Sequence, residues 1–319
     1  MVDRLKVGKL LAVILLASAL CAPALSMQLA GASSSEQEEP SRVKVGIWLN
    51  SIEKVDVPAG TFTVDFYLWF KYHDVKPNIE FLKGSPSSID LITEEERPLE
   101  NYLEYRVKGV FIGSLDFRGF PFDEHFLTVE LEDKERGASE LVFESDEGES
   151  GIDPKLEVVG WDVKGFKLYE EKHAYPDENY SRFIFGVTVY RSKISVAFKN
   201  LLPIIVITLI SLLTFFISVK NFGLRVSICV TTLMSAVVYH LAALGALPPL
   251  GYLTLFDRVM LVVYTLFLYN LGVSVQAMRL VEAGKVKLAE KFETRMQNLL
   301  PVVVIALSLI YIVLLGFVA

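Results

Sequence analysis

Ser227, Thr231, Met234, Val238, Ala242 and Gly245 follow one another in steps of 4, 3, 4, 4 and 3 residues. That spacing keeps all six on one face of a helix with about 3.6 residues per turn. The first part of this stripe carries hydroxyls and the second part is apolar. Hydroxyls can replace part of an ion's hydration shell, and a ring of Met234 and Val238 could close a path by dewetting. One helix cannot enclose water, so such a path demands several identical copies around a cyclic axis. Helix packing through small residues would produce the same pattern. His240 lies beside the stripe; its ordinary pKa near 6.5 suits a proton sensor, and it suits equally a hydrogen-bonded buried imidazole. Asp146, Glu147, Glu149 and Asp153 crowd one turn-rich segment, but their spacing misses the calcium-loop pattern and reads as a solvated acidic loop. No nucleophile–base pair and no metal-ligand cluster stands out, so neither enzymatic chemistry, nor a cofactor, nor a metal is expected.

The elements that must hold this stripe are legible in composition. Of 319 residues, 52% are apolar and 22% charged, with a mean hydropathy of +0.41, which directs attention to membrane spans. The net charge of −7 is unevenly spread. Residues 1–40 contribute −1 (3 basic, 4 acidic), residues 41–191 contribute −12 (18 and 30), and residues 192–319 contribute +6 (10 and 4). Without a basic patch in the soluble part, nucleic acid is not a partner. Arg4, Lys6 and Lys9 precede the apolar run Leu10–Leu20 and then Ala22-Pro23-Ala24, which reads as a signal peptide over 1–26, followed by a polar tether over 27–42. The two cysteines, Cys21 and Cys229, fall in the leader and in an apolar span, so no disulfide framework is expected.

Four apolar blocks at about 197–219, 224–247, 256–278 and 297–318 each suffice to cross about 30 Å of hydrocarbon. With residues 43–192 outside, the connection 279–296 falls inside, and its Arg279, Lys285, Lys287, Lys291 and Arg295 obey the positive-inside rule. Asp257 stands at the outer start of the third span. No carboxylate within the membrane is left for an ion-coupled transporter. Val43–Leu49, Thr61–Phe70, Phe126–Leu131, Leu156–Val163 and Phe183–Tyr190 alternate like strands and are rich in Val, Ile, Phe and Tyr. The expected architecture is an extracellular antiparallel β-sandwich over 43–192, followed by a four-helix transmembrane bundle over 193–319.

Several motifs then fall in a fixed order. Phe120-Pro121-Phe122-Asp123 closes a loop after Leu115, and Gly160-Trp161-Asp162-Val163 follows. Arg191 precedes Pro203 by 12 residues, and Thr231-Thr232 come six and seven after Arg225. Leu247-Pro248-Pro249-Leu250-Gly251-Tyr252 links the second and third spans. In this set the chain resembles the pentameric ligand-gated ion channels, the Cys-loop receptor superfamily, in its prokaryotic branch. The likeness runs from about Val43 to the C-terminus. Gly113 and Leu127 stand where animal members carry paired cysteines, and His125 where the family often has Gln. The resemblance implies a homopentamer in the plasma (inner) membrane, surrounded by lipid. Permeant inorganic ions would pass along the 225–247 helices, and a small-molecule or proton agonist would open them. Its coupling residues would be Asp56, Asp123, Arg191, Pro248 and Tyr252.

The sequence departs from that family in two places. The segment between Tyr72 and Tyr105 is about 20 residues short of what the resemblance implies and lacks a Trp-x-Pro strand. Glu144, Tyr169, Tyr175 and Tyr180 remain as ligand candidates; their aromatic faces could cage a cationic amine or simply cover a hairpin. The glutamate of cation-selective relatives is missing before Arg225, and so is the proline–alanine pair of anion-selective ones. The acidic outer domain would concentrate cations, while Lys220 and Arg225 near the inner mouth oppose it. The balance tips slightly towards cations. A non-conducting membrane-anchored sensor with the same fold is the alternative.

Overall fold

A computed structural model of the chain describes residues 39–316. The expected signal peptide and most of the tether lie outside the described residues. Ten strands come first: β1 (Ser41–Asp56), β2 (Thr61–Tyr72), β3 (Ile79–Phe81), β4 (Gly84–Glu95), β5 (Asn101–Ile112), β6 (Glu124–Asp133), β7 (Leu141–Ser145), β8 (Gly151–Ile152), β9 (Asp162–Ala174) and β10 (Asn179–Tyr190). One sheet runs β4-β5-β2-β1-β7 with β8 also on β1, and the other runs β3-β6-β10-β9. The pairing is antiparallel except that β7 and β8 join β1 in parallel. The period-2 pattern decides which side chains meet between the sheets. Phe62, Val64, Phe66, Leu68 and Phe70 of β2 point inward, as do Phe183, Phe185, Val187 and Val189 of β10, all of them buried. Phe81, Phe111 and Phe66 form an aromatic knot with centroids 5.6 and 6.1 Å apart.

Two sequence expectations need correction. Leu156–Val163 is not one strand: the chain turns between the isolated pair Val158 and Trp161, with Gly160 at φ +84°, and only Asp162 and Val163 belong to a strand, the start of β9. Its alternation serves to place Trp161 rather than to extend a ladder. The connection 279–296 is also not a loop. Helices occupy nearly all of it, leaving a turn at Gly284 (φ +74°) where the N–H groups of Gly284 and Lys285 bond Val281 and Leu280 carbonyls at 2.9 and 2.8 Å. That closure needs a left-handed residue, which glycine adopts without a steric penalty.

Four helices follow the strands: α1 (Lys193–Phe216), α2 (Phe222–Leu244), α3 (Leu255–Glu282) and α4 (Val286–Gly316). The first three are long and apolar enough to cross a membrane. The fourth expected span lies in α4 and runs on past the described residues. In α1 a π-turn over Ala197–Leu201 comes just before Pro203. Proline lacks the N–H that would bond the Lys199 carbonyl. The Tyr239 hydroxyl of α2 supplies a replacement, lying 3.1 Å from both the Lys199 and Asn200 carbonyl oxygens. Helix α3 begins with a capping box in which the Thr254 side chain accepts from Asp257 N–H and Asp257 accepts from Thr254 N–H.

Candidate functional site

Helix α2 has two unlike faces. Arg225, Cys229, Thr232 and Ala236 are buried, and Thr232 turns its hydroxyl back onto the Ile228 carbonyl at 2.8 Å. Ser227, Thr231, Met234, Val238, Ala242 and Gly245 are all exposed in the single chain, with Met234 at 58% and Val238 at 62%. The two sets lie on opposite sides of the helix, and the exposed stripe carries no charged side chain.

Arg225 corrects the sequence expectation for the inner mouth. Its side chain is 1% exposed and is hydrogen-bonded to the Glu293 carboxylate of α4. Val219, Ala277 and Ala289 form a small buried apolar cluster of their own, with Leu280 and Val281 packed against it. Arg225 therefore presents no charge to the exposed stripe. At the other end of α2, the His240 ring nitrogens lie 2.9 Å from the Tyr264 hydroxyl and 2.9 Å from Asp257. Both ring nitrogens therefore have a hydrogen-bond partner.

The junction between strands and helices is built from the loop 113–123, the turn before β9, and the end of β10. Asp123 is 2% exposed, with one oxygen 2.7 Å from His125 Nε2 and the other 3.1 Å from Arg191 Nε. Burial pushes its carboxyl upward, but the His125 hydrogen bond and the Arg191 charge outweigh that and hold it below the usual carboxylate range. The Arg191 guanidinium lies 4.4 Å from the Trp161 ring centre and 5.8 Å from that of Phe120. His125 meets Phe117 and Trp161 edge-on at 5.0 and 5.1 Å. The loop then grips the helices: Leu255 and Phe256 N–H groups donate to Arg118 and Phe120 carbonyls at 2.9 and 3.0 Å. The Tyr252 hydroxyl accepts from Phe117 N–H at 3.0 Å, and Arg118 lies 4.9 Å over its ring. Pro248 leads the linker that ends at Tyr252 and borders a cleft shared with Leu244, Leu253 and Asp257. A Cβ on Gly113 would come 3.6 Å from Leu127, so these positions adjoin across an apolar contact.

Other predicted residues stand apart. Asp56, at the end of β1, pairs with Lys54 at 2.5 Å and accepts from Ala59 N–H. Glu144 pairs with Arg42 on the first sheet. Tyr169 borders a shallow depression of about 400 Å³ with Lys167, Phe126 and Thr188. Only Tyr175 and Tyr180 meet, edge to face at 5.5 Å, with His173 beside Tyr175 at 4.7 Å. Sequence reasoning missed what lies beneath them. Glu130 and Glu132 project from the same face of β6 onto Arg182, which holds Glu132 at 2.8 Å, while Lys83 holds Glu130 at 2.6 Å and Tyr175 donates to Glu132 at 3.1 Å. The alternation along β6 places both glutamates outward, a signal present in the sequence. In the acidic loop, Lys71 binds Asp146 and Glu149 at 2.7 and 2.8 Å.

The described residues thus join a two-sheet domain, through a Phe-Pro-Phe-Asp loop, to helices of which three are long and apolar enough to cross a membrane. Among individual proteins the chain is similar to a proton-gated ion channel of Gloeobacter violaceus, 23% identical over 281 residues that cover 79% of this chain and 77% of that one. No family model matches the chain.

Proposed function

We propose that the chain is a gated ion channel: five identical subunits place their α2 helices around a common axis, and small inorganic ions pass between them. The observation that carries this reading is the two-faced α2. Its packing face is filled within the subunit, so the uncharged stripe from Ser227 to Gly245 is left for water or for other copies. Hydroxyls at Ser227 and Thr231 would stand in for hydration oxygens, and Met234 and Val238 would form the closing constriction. In this reading the signal peptide places the β domain outside, and its −12 charge favours cations. Asp123, Arg191, Pro248 and Tyr252 transmit movement of the β domain to α2, and Asp56 contributes from the first hairpin.

Protons are the agonist favoured by the name of the Gloeobacter relative. The Tyr175–Tyr180 pair above Glu132 is the better place for a small-molecule agonist, with Tyr169 and Glu144 outside it. Purified protein in planar bilayers tests the channel reading. Single-channel openings are expected at acidic pH, with Met234→Ala raising open probability. Thiol reagents should reach cysteines placed along the stripe. A protein that never conducts across pH and ligand screens, with no accessible stripe position, would instead be a membrane-anchored sensor.

A further inference from the structure

Arg225 is the one cation between Leu224 and Gly245, and its surroundings are unusual for a charged group. Its side chain is almost wholly enclosed by its own subunit, so neighbouring copies cannot expose it. Glu293 of α4, 68 residues away, is its single ion-pair partner, while its Nε and second terminal nitrogen have no partner among the described residues. An enclosed guanidinium with one carboxylate is held there by that carboxylate; without it, the charge would seek water. The nearest water on this reading is the inner mouth, two residues before Ser227. Glu293 itself is fixed by its helix. Ala289, one turn before it, packs in the apolar cluster, and the Met296 carbonyl accepts from Tyr269 at 2.8 Å.

From this geometry we propose that Glu293 is a specificity-determining positioning residue: it neutralises Arg225 and holds it off the conduction path, so that the inner mouth does not select anions. The inference rests on α2 lining the path. Glu293 touches no permeating ion and acts only through Arg225. Five released guanidinium groups around a narrow mouth would concentrate chloride there, an effect on the order of tenfold in local anion concentration.

Reversal potentials of single channels in asymmetric NaCl provide the test, using the full-length protein and the variants Glu293→Gln, Glu293→Asp and Arg225→Gln/Glu293→Gln. Glu293→Gln is expected to shift reversal towards chloride, with a relative chloride permeability roughly tenfold higher. Glu293→Asp should retain wild-type selectivity, and the double variant should return to it. A purely structural role for the pair would alter assembly or open probability and leave reversal where it was. An unshifted Glu293→Gln channel, or a shift that persists in the double variant, overturns the proposal while leaving the pore reading intact. Wild-type protein without currents removes the pore reading and this inference with it. Should Glu293→Gln fail to assemble, thiol labelling from the inner side decides: Ser227→Cys reacting while Arg225→Cys stays protected supports the proposal, and equal reactivity at both positions sinks it.

Discussion

At the end of α2 near the β domain, His240 has a partner on each ring nitrogen, and its partner Asp257 is held in turn by Thr254. One residue earlier, Tyr239 joins α2 to two carbonyls of α1. At the far end, Arg225 has a single carboxylate and two nitrogens without partners among the described residues. The near end is thus a shared network in which each group has several bonds, while the far end hangs on one. Buried polar groups tolerate loss when others can re-pair and fail when none can. On the proposed function, movement arriving from the β domain would enter α2 at the near end. The single bond marks the end expected to stay fixed.

That contrast is most exposed to Glu293→Ala, which leaves a buried guanidinium with nothing opposite it. The expected cost is about 3–5 kcal/mol, seen as a large fall in the Tm of the detergent-solubilised assembly. At the other end, Asp257→Asn keeps a side-chain oxygen for the Thr254 cap and loses charge from one of several bonds. A smaller cost of about 1–2 kcal/mol is expected. Equal losses at both ends would break the comparison. Tyr239→Phe sharpens it further: it removes one hydroxyl from two carbonyls, one of which, that of Lys199, Pro203 already deprives of a donor. Polar contacts of this kind between membrane helices average about 0.6 kcal/mol, so only a slight fall in Tm should follow.

The difference between the ends also explains what could be read in advance. The stripe on α2 was legible because helical period and residue type coincide at six positions, and every one of them is exposed. Strands β1, β2, β6 and β10 announced themselves by alternation against a buried core. Strand β4 did not, because it is an exposed edge strand whose residues Ile89, Leu91 and Ile92 face away from the core; its order comes from backbone pairing with β5. Arg225 was misread because nothing near it in sequence signals a partner on another helix. Asp123, Arg191, His125 and Trp161 were all named with the motifs, but that the four form one cluster became visible only through packing. Asp56, taken from the same family pattern, pairs with Lys54 within its own strand.

The smallest effect expected concerns mild acid, and it separates the aspartates from whatever senses protons. Asp56 is lowered chiefly by Lys54, Asp65 by Arg106, and Asp116 by the Arg118 N–H. In Asp123 and Asp146 burial acts the other way but is outweighed, by His125 and Arg191 in one and by Lys71 and Trp69 in the other. A carboxyl whose pKa is lower in the folded chain than in the unfolded one contributes stability that is complete above the unfolded value, about 3.9 for Asp. That contribution is lost only as pH falls through the lowered folded value. Between pH 7 and 5 these groups stay ionised in both states, so the Tm of the β domain should gain no slope from them. Below about pH 4 a steep fall should begin, and Asp123→Asn should flatten it by removing one of the linked protons. Channel opening in mild acid would then have to be driven by other groups, and Asp65→Asn or Asp146→Asn should leave the pH midpoint of opening where it is. A midpoint that moves with either substitution would place proton sensing in the carboxylates of the β domain and undo the division between a robust near end and a singly held far end.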